Sequence, residues 1–167
     1  MKAFTISEIK YFMSQLLLKD TFDHFKLQEL TLTTNVTYTI DGQLHPDFYD
    51  AGEAELLKAR EETHISWSEI RPFCFSLIKG KHTPLYFKIV FQLNKNETRQ
   101  LLLENSLSLR EDDIFGLYLN CQFDGTSLTC VTGTSLRFFT MDKSVDYAWD
   151  DKVTRFFKSR NITFESM

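Results

Sequence analysis

Hydrophobic and polar positions change period several times along the chain, and each change marks an element. Thr5 and Glu8 stand at capping-box spacing, and Ile9, Phe12, Met13, Leu16 and Leu17 then recur at helical intervals, predicting an amphipathic helix over 7–18. From Leu30 the period becomes two. Leu30, Leu32, Thr34, Val36, Tyr38 and Ile40 alternate with four threonines and Asn35, which predicts one long half-buried strand. Asp41-Gly42 supplies the residues for a three-residue or bulged hairpin, after which Leu44, Pro46 and Phe48 are expected to continue the buried face. Residues 50–63, rich in Ala, Glu, Lys and Arg, read as a short exposed helix or a connection.

Ser66 and Glu69 repeat the capping-box spacing before an apolar run that ends at Gly80. Pro72 predicts that the regular helix begins near Arg71, with Trp67 to Ile70 in a leading turn. Leu85, Phe87, Ile89, Phe91 and Leu93 alternate with residues that are themselves partly apolar, predicting a central strand. Asn94 is placed to cap a helix bearing Glu97 and Leu101 to Leu103. Phe115 to Phe123 alternate as a further strand, Asp124-Gly125 turns it, and Leu128, Cys130 and Thr132 return with the same parity. Gly133 is expected to break that strand, Leu136 to Thr140 to resume it, and Val145, Trp149, Val153 and Phe156 to mark a last helix.

The markers recur at nearly constant spacing: Leu16-Leu17-Leu18 with Leu101-Leu102-Leu103, Asp41-Gly42 with Asp124-Gly125, and Trp67-Ser68-Glu69 with Trp149-Asp150-Asp151. Each offset is close to half the chain. The pattern predicts one α+β domain over 1–167, a mostly antiparallel sheet built from two similar βαββα halves, about 1–83 and 84–167, related by a pseudo-twofold. One such unit has too little apolar surface to bury alone, so the halves are expected to share a core, with Trp67 and Trp149 at equivalent places.

Composition narrows the function classes. A chain of 167 residues, 43% apolar and 25% charged, with 16 Phe, is ordinary globular material. Its net charge of −4 gives no general attraction to polyanions, so a nucleic-acid role requires a local basic face. The densest basic positions are Lys79, Lys81, His82 and Lys88, and Lys152, Arg155, Lys158 and Arg160 on or after the last helix. No apolar stretch reaches signal-peptide or membrane-helix length, and Cys74, Cys121 and Cys130 lack CxxC spacing. The expectation is a cytoplasmic protein with reduced, buried thiols and no membrane association.

Candidate chemistry is sparse. Asp20, Asp23 and His24, and separately His45, Asp47 and Asp50, combine imidazole and carboxylate donors of the kind divalent cations take. Their spacing matches no established metal motif, and turn chemistry is the favoured reading of both. Ile78-Lys79-Gly80-Lys81-His82-Thr83 follows a helix and lacks the first glycine of a phosphate loop, and no G-x-G-x-x-G occurs. No cofactor motif and no nucleophile with an oriented base is found, so no catalytic, cofactor-binding or metal residue is assigned. Acidic runs at Glu111-Asp112-Asp113 and Asp150-Asp151 read as solvated starts of elements.

Thr21-Phe22-Asp23, Thr39-Ile40-Asp41-Gly42, Arg71-Pro72, Lys88-Ile89-Val90-Phe91 and Gly116-Leu117-Tyr118-Leu119-Asn120 resemble a family of short bacterial proteins, mostly from Clostridia, of unknown function. The resemblance covers the whole chain and implies a bacterial cytosolic setting. At the level of fold, the order of elements and the hairpin Phe123 to Cys130 are also similar to DNA sliding clamps. A clamp's inner helices need outward cations, whereas here the first helix offers Lys10 and Lys19 and the third Lys95 and Arg99 among acids. Two readings follow. One is a non-enzymatic binding or scaffold protein with a protein or nucleic-acid partner, possible also as a homodimer. The other is a small-ligand or metal-dependent enzyme with a pocket between the halves, where Arg71, His45 or Asp47 converge.

Overall fold

Alternating stretches become strands whose shared parity gives one sheet a buried face. In the computed structural model, which describes residues 1–167, the order is β1 (Ala3–Ile6), α1 (Ile9–Leu17), β2 (Phe25–Thr33), β3 (Thr37–Asp41), α2 (Ala51–Ala59), α3 (Trp67–Ile78), β4 (Tyr86–Leu93), α4 (Lys95–Glu104), β5 (Ile114–Phe123), β6 (Leu128–Leu136), α5 (Ser144–Ser159) and β7 (Phe164–Ser166). The strands form one seven-stranded sheet in the order β3-β2-β4-β5-β6-β1-β7, and every pairing is antiparallel. The fold is therefore α+β.

Leu27 and Leu30 both face the core although three positions separate them, because a bulge between Leu27 and Glu29 resets the parity of β2. Phe87, Ile89, Phe91 and Leu93 of β4 and Leu117, Leu119, Cys121 and Phe123 of β5 continue the same buried face. Helices α1, α3 and α5 cover it with Phe12 and Leu16, Trp67 and Cys74, and Trp149, Val153 and Phe157. Phenylalanines knit the core: Phe22 stacks on Phe91 at 5.3 Å and meets Phe12 edge-on at 5.4 Å, and Phe4 meets Phe157 edge-on at 5.2 Å. No helix is long and apolar enough to cross a membrane.

Several expected boundaries are corrected. The strand expected from Leu30 to Ile40 is a hairpin, with β2 ending at Thr33, Thr34 N–H donating to the Val36 carbonyl at 2.9 Å, and β3 returning as an edge strand with no buried residue. Asp41-Gly42 therefore ends β3 and does not turn a hairpin. Gly42 is required there because a Cβ would lie 1.8 Å from the Leu27 carbonyl oxygen. Leu44, Pro46 and Phe48 do not continue the buried face; Phe48 is 86% exposed in an arm, 43–65, that leaves the sheet through a 3-10 turn at Pro46–Phe48 and α2.

Neither Thr5 nor Ser66 caps a helix with its side chain, Thr5 lying within β1. Helix α3 is regular from Trp67, with Pro72 inside it, because the carbonyl deprived of a partner by the missing N–H belongs to solvent-exposed Ser68. Asn94 caps α4 as its position predicts, accepting from Glu97 N–H at 2.8 Å. Gly133 does not break β6, which runs on to Leu136, and 137–140 are irregular. The short β7 pairs with β1 and was not foreshadowed by the pattern.

The order of elements recurs, β1-α1-β2-β3-α3 against β4-α4-β5-β6-α5, with the arm and β7 as additions. Strand pairing differs between the two stretches: β4 pairs with β5, whereas β1 pairs with β6 and not with β2. The leucine triplets play matching parts, Leu16, Leu17, Leu101 and Leu102 being buried and Leu18 and Leu103 exposed. The tryptophans are both core anchors in unlike settings. Trp67 opens α3 and donates to the Leu16 carbonyl of α1, while Trp149 lies within α5 and donates to the Tyr118 carbonyl of β5.

Candidate functional site

A groove of about 570 Å³ lies between α1, the end of α3 and the tip of the β5–β6 hairpin. Helix α1 has more apolar surface than the sheet covers: Phe12 and Leu16 point into the core, and Ile9, Met13 and Leu17 line the groove beside Lys10 and Ser14. Phe75 and Ile78 face them from the last turn of α3, and Phe123 forms part of the lining from the sheet. Helix α3 ends at Ile78 with Lys79 as its C-cap, and Gly80, at φ 133°, turns the chain so that Lys81, His82, Thr83 and Pro84 run along the rim.

The hairpin tip is held by Asp124, whose carboxylate accepts from Thr126 N–H at 2.9 Å, Ser127 N–H at 2.8 Å and both hydroxyls. Those donors hold its carboxyl well below the usual carboxylate range. Gly125 at φ 100° completes the turn.

The lining is electrostatically one-sided. The chain contains 23 acidic residues, yet none lines the groove, whereas Lys10, Lys79, Lys81 and His82 do. None of these three lysines has a carboxylate within 4.0 Å. Most other basic positions singled out from the sequence are neutralised: Lys88 pairs with Glu29 at 2.9 Å, Lys152 with Glu97 at 3.6 Å and Arg155 with Asp151 at 3.0 Å.

The sequence-derived clusters are dispersed. Asp23 and Arg71 form a two-pronged pair, both bonds 2.9 Å, that ties the 20–24 turn to α3. His24 lies against Phe25 at 4.2 Å and Phe156 at 5.2 Å, and burial pushes its pKa down. Asp20 contributes its carbonyl to Asp23 N–H. In the arm, Asp50 caps α2, while His45 and Asp47 are exposed. Arg71, His45 and Asp47 therefore do not converge in a pocket between the halves. No group of three or more His, Cys, Asp or Glu residues has metal-holding geometry.

Cys121 and Cys130 lie directly opposite across the hairpin, their sulfurs 3.2 Å apart. Burial pushes the Cys130 thiol up, and Cys74 to about 12, so these groups are protonated near neutrality. Sequence reasoning noticed Lys79, Lys81 and His82 but missed the groove they border. The available signal was the excess apolar width of α1, with Ile9, Met13 and Leu17 beside a core stripe already supplied by Phe12 and Leu16.

Comparison with curated proteins and with solved structures gives no match. A family match extends over residues 15–165, including α3, the lysine-bearing turn and the hairpin tip that line the groove. The chain belongs to the family of unknown function DUF5721.

Proposed function

We propose that this protein is a non-enzymatic binding protein whose groove takes a small amphiphile, an apolar chain ending in a carboxylate or phosphate. The absence of any acidic side chain from a groove rimmed by three unpaired lysines, in a chain of net charge −4, is the observation that carries this reading. Its volume of about 570 Å³ fits the usual range for small-molecule sites, about 300–1,000 Å³. Ile9, Met13, Leu17, Phe75 and Ile78 suit an apolar chain, and Lys79 and Lys81 suit its anionic head. The lining offers no carboxylate or thiol, and its one imidazole, His82, has no carboxylate within 4.0 Å to orient it, which favours binding over catalysis.

The same reading treats 1–167 as one cytoplasmic domain of two duplicated βαββα units. The recurring element order and the matching leucine triplets support duplication, and one continuous apolar core supports a single domain. A clamp-like surface for nucleic acid has less support, since Lys152 and Arg155 of α5 are already ion-paired.

Calorimetric titration with four single-chain probes tests the proposal: dodecanoate, dodecyl phosphate, dodecanol and dodecyltrimethylammonium, each below its micellar concentration. At least one anionic probe is expected to bind with a Kd on the order of 10 μM, the other anionic probe reporting head-group preference. The cationic probe should not bind, and Lys79→Glu with Lys81→Glu should weaken anion binding about tenfold, roughly 1.4 kcal/mol. Equal binding of dodecanol, or any binding of the cation, overturns the anionic reading. Failure of all four overturns the groove as a site for single-chain ligands.

A further inference from the structure

We infer that the free edge of β3 is the contact surface of a homodimer, in which two copies pair β3 antiparallel across a twofold axis at Thr39. β3 ends the sheet and pairs only with β2, so alternate backbone N–H and C=O groups along its other side lack strand partners. Natural edge strands are commonly blunted by lysine, proline or a bulge. β3 has none of these; its one charged residue, Asp41, stands at its end, and Thr37-Tyr38-Thr39-Ile40 is rich in residues that favour strands.

The register makes this edge self-complementary. Gly42 N–H donates to the Gln28 carbonyl at 3.2 Å, in the same register that sets Ile40 opposite Leu30 and Tyr38 opposite Leu32. Hydrogen-bonded pairs alternate along an antiparallel ladder, so the outward groups belong to Thr37, Thr39 and Asp41. Those are the residues a twofold at Thr39 joins, placing Thr39 against the partner's Thr39 and Thr37 against the partner's Asp41. On the other face Tyr38 meets the partner's Ile40, an aromatic and β-branched pair of the kind that stabilises antiparallel strands. No like charges are opposed.

Five paired residues alone make a small interface, since stable ones bury about 1,200–2,000 Å². The arm supplies further surface beside the same edge. It leaves the sheet just after β3 and returns through the bridges of His64 to Gln43 and Ser66 to Lys26. Within it α2 has no buried residue, Phe48 is 86% exposed and Leu56 49%. A nine-residue helix in which only Ala54 and Leu57 are even half-buried draws little stability from propensity alone, and a second copy at the β3 edge gives it more to pack against.

Sedimentation equilibrium at protein concentrations on the order of 100 μM tests the inference. The wild-type chain is expected at twice its 19.6 kDa mass. Thr39→Lys, which opposes two ammonium groups on the axis, and independently Thr37→Asp, which faces the partner's Asp41, should each sediment at 19.6 kDa with unchanged circular dichroism. Both positions are exposed in the single chain, so two substitutions guard against a folding defect in either one. A monomeric wild-type chain overturns the inference, and so does a dimer that survives a folded variant of either kind. Probe binding in the groove is unaffected by these substitutions, so this result and that of the ligand titration stand apart.

Discussion

The helix pair α1–α3 and the helix pair α4–α5 occupy corresponding places in the order of elements, yet they differ in what lies between them. Between α1 and the end of α3 is an open groove of about 570 Å³ with unpaired lysines; the cavity beside α4 and α5 is about 260 Å³, and Lys152 there is neutralised by Glu97. His24, Phe25 and Phe156 line the smaller cavity together with Glu97 and Glu104, acidic groups of a kind that the larger groove lacks. The two helix pairs thus differ in the volume of the adjoining cavity and in whether acidic groups line it. That difference is the basis for proposing the larger groove as a binding surface.

The leucine triplets allow the sharpest break of this comparison. Leu16→Ala and Leu101→Ala remove buried side chains, 0% and 2% exposed, and each is expected to cost about 2–5 kcal/mol in denaturant unfolding. Leu18→Ala and Leu103→Ala, at 55% and 78% exposed, are expected to change stability by less than about 0.5 kcal/mol. A large loss at Leu103 or a negligible one at Leu16 would show that the triplets do not play matching parts. A smaller effect concerns the α4–α5 side alone.

Burial is the main cause lowering the His24 pKa from its ordinary 6.5, opposed by Glu97 and aided by Lys152 and Arg160. The folded chain keeps His24 neutral where the unfolded chain protonates it, so the unfolded state binds more protons in that window. Stability from this residue is therefore full above pH 6.5 and is lost as pH falls from there through the lowered folded value. His24→Phe should flatten part of the acid side of the stability–pH curve, with His64, also lowered by burial, supplying a residual slope. An unchanged curve would place His24 in water, contrary to its packing against Phe25 and Phe156.

Much of the fold was legible because local chemistry and tertiary structure agree. Asn94 caps α4, Asp124-Gly125 turns its hairpin, and the helical spacing from Ile9 to Leu17 yields α1. The β2–β3 hairpin was not legible for a geometric reason. A three-residue turn, 34–36, pairs Thr33 with Thr37 and so preserves parity, letting Leu30, Leu32, Tyr38 and Ile40 alternate straight through it. Asp41-Gly42 then drew the hairpin to the wrong place, its glycine being needed for close approach to Leu27 and not for a turn. The groove was hidden because Lys10, Phe75, Lys81 and Phe123 meet only once the sheet order has brought the second hairpin beside α1. The lysine-bearing turn was visible as charge, without the apolar surface that gives the charge a use.

The proposal stands or falls on whether the α1–α3 groove binds an anionic amphiphile and the α4–α5 cavity does not. Its most direct test is titration of dodecanoate and of dodecyl phosphate into methyl-labelled protein, followed by NMR. Shifts from at least one of the two confined to Ile9, Met13, Leu17, Leu18 and Ile78, with Leu101 and Val153 unmoved, are the predicted result. Shifts centred on Leu101 and Val153, or none at any of these methyls with either probe, would contradict it.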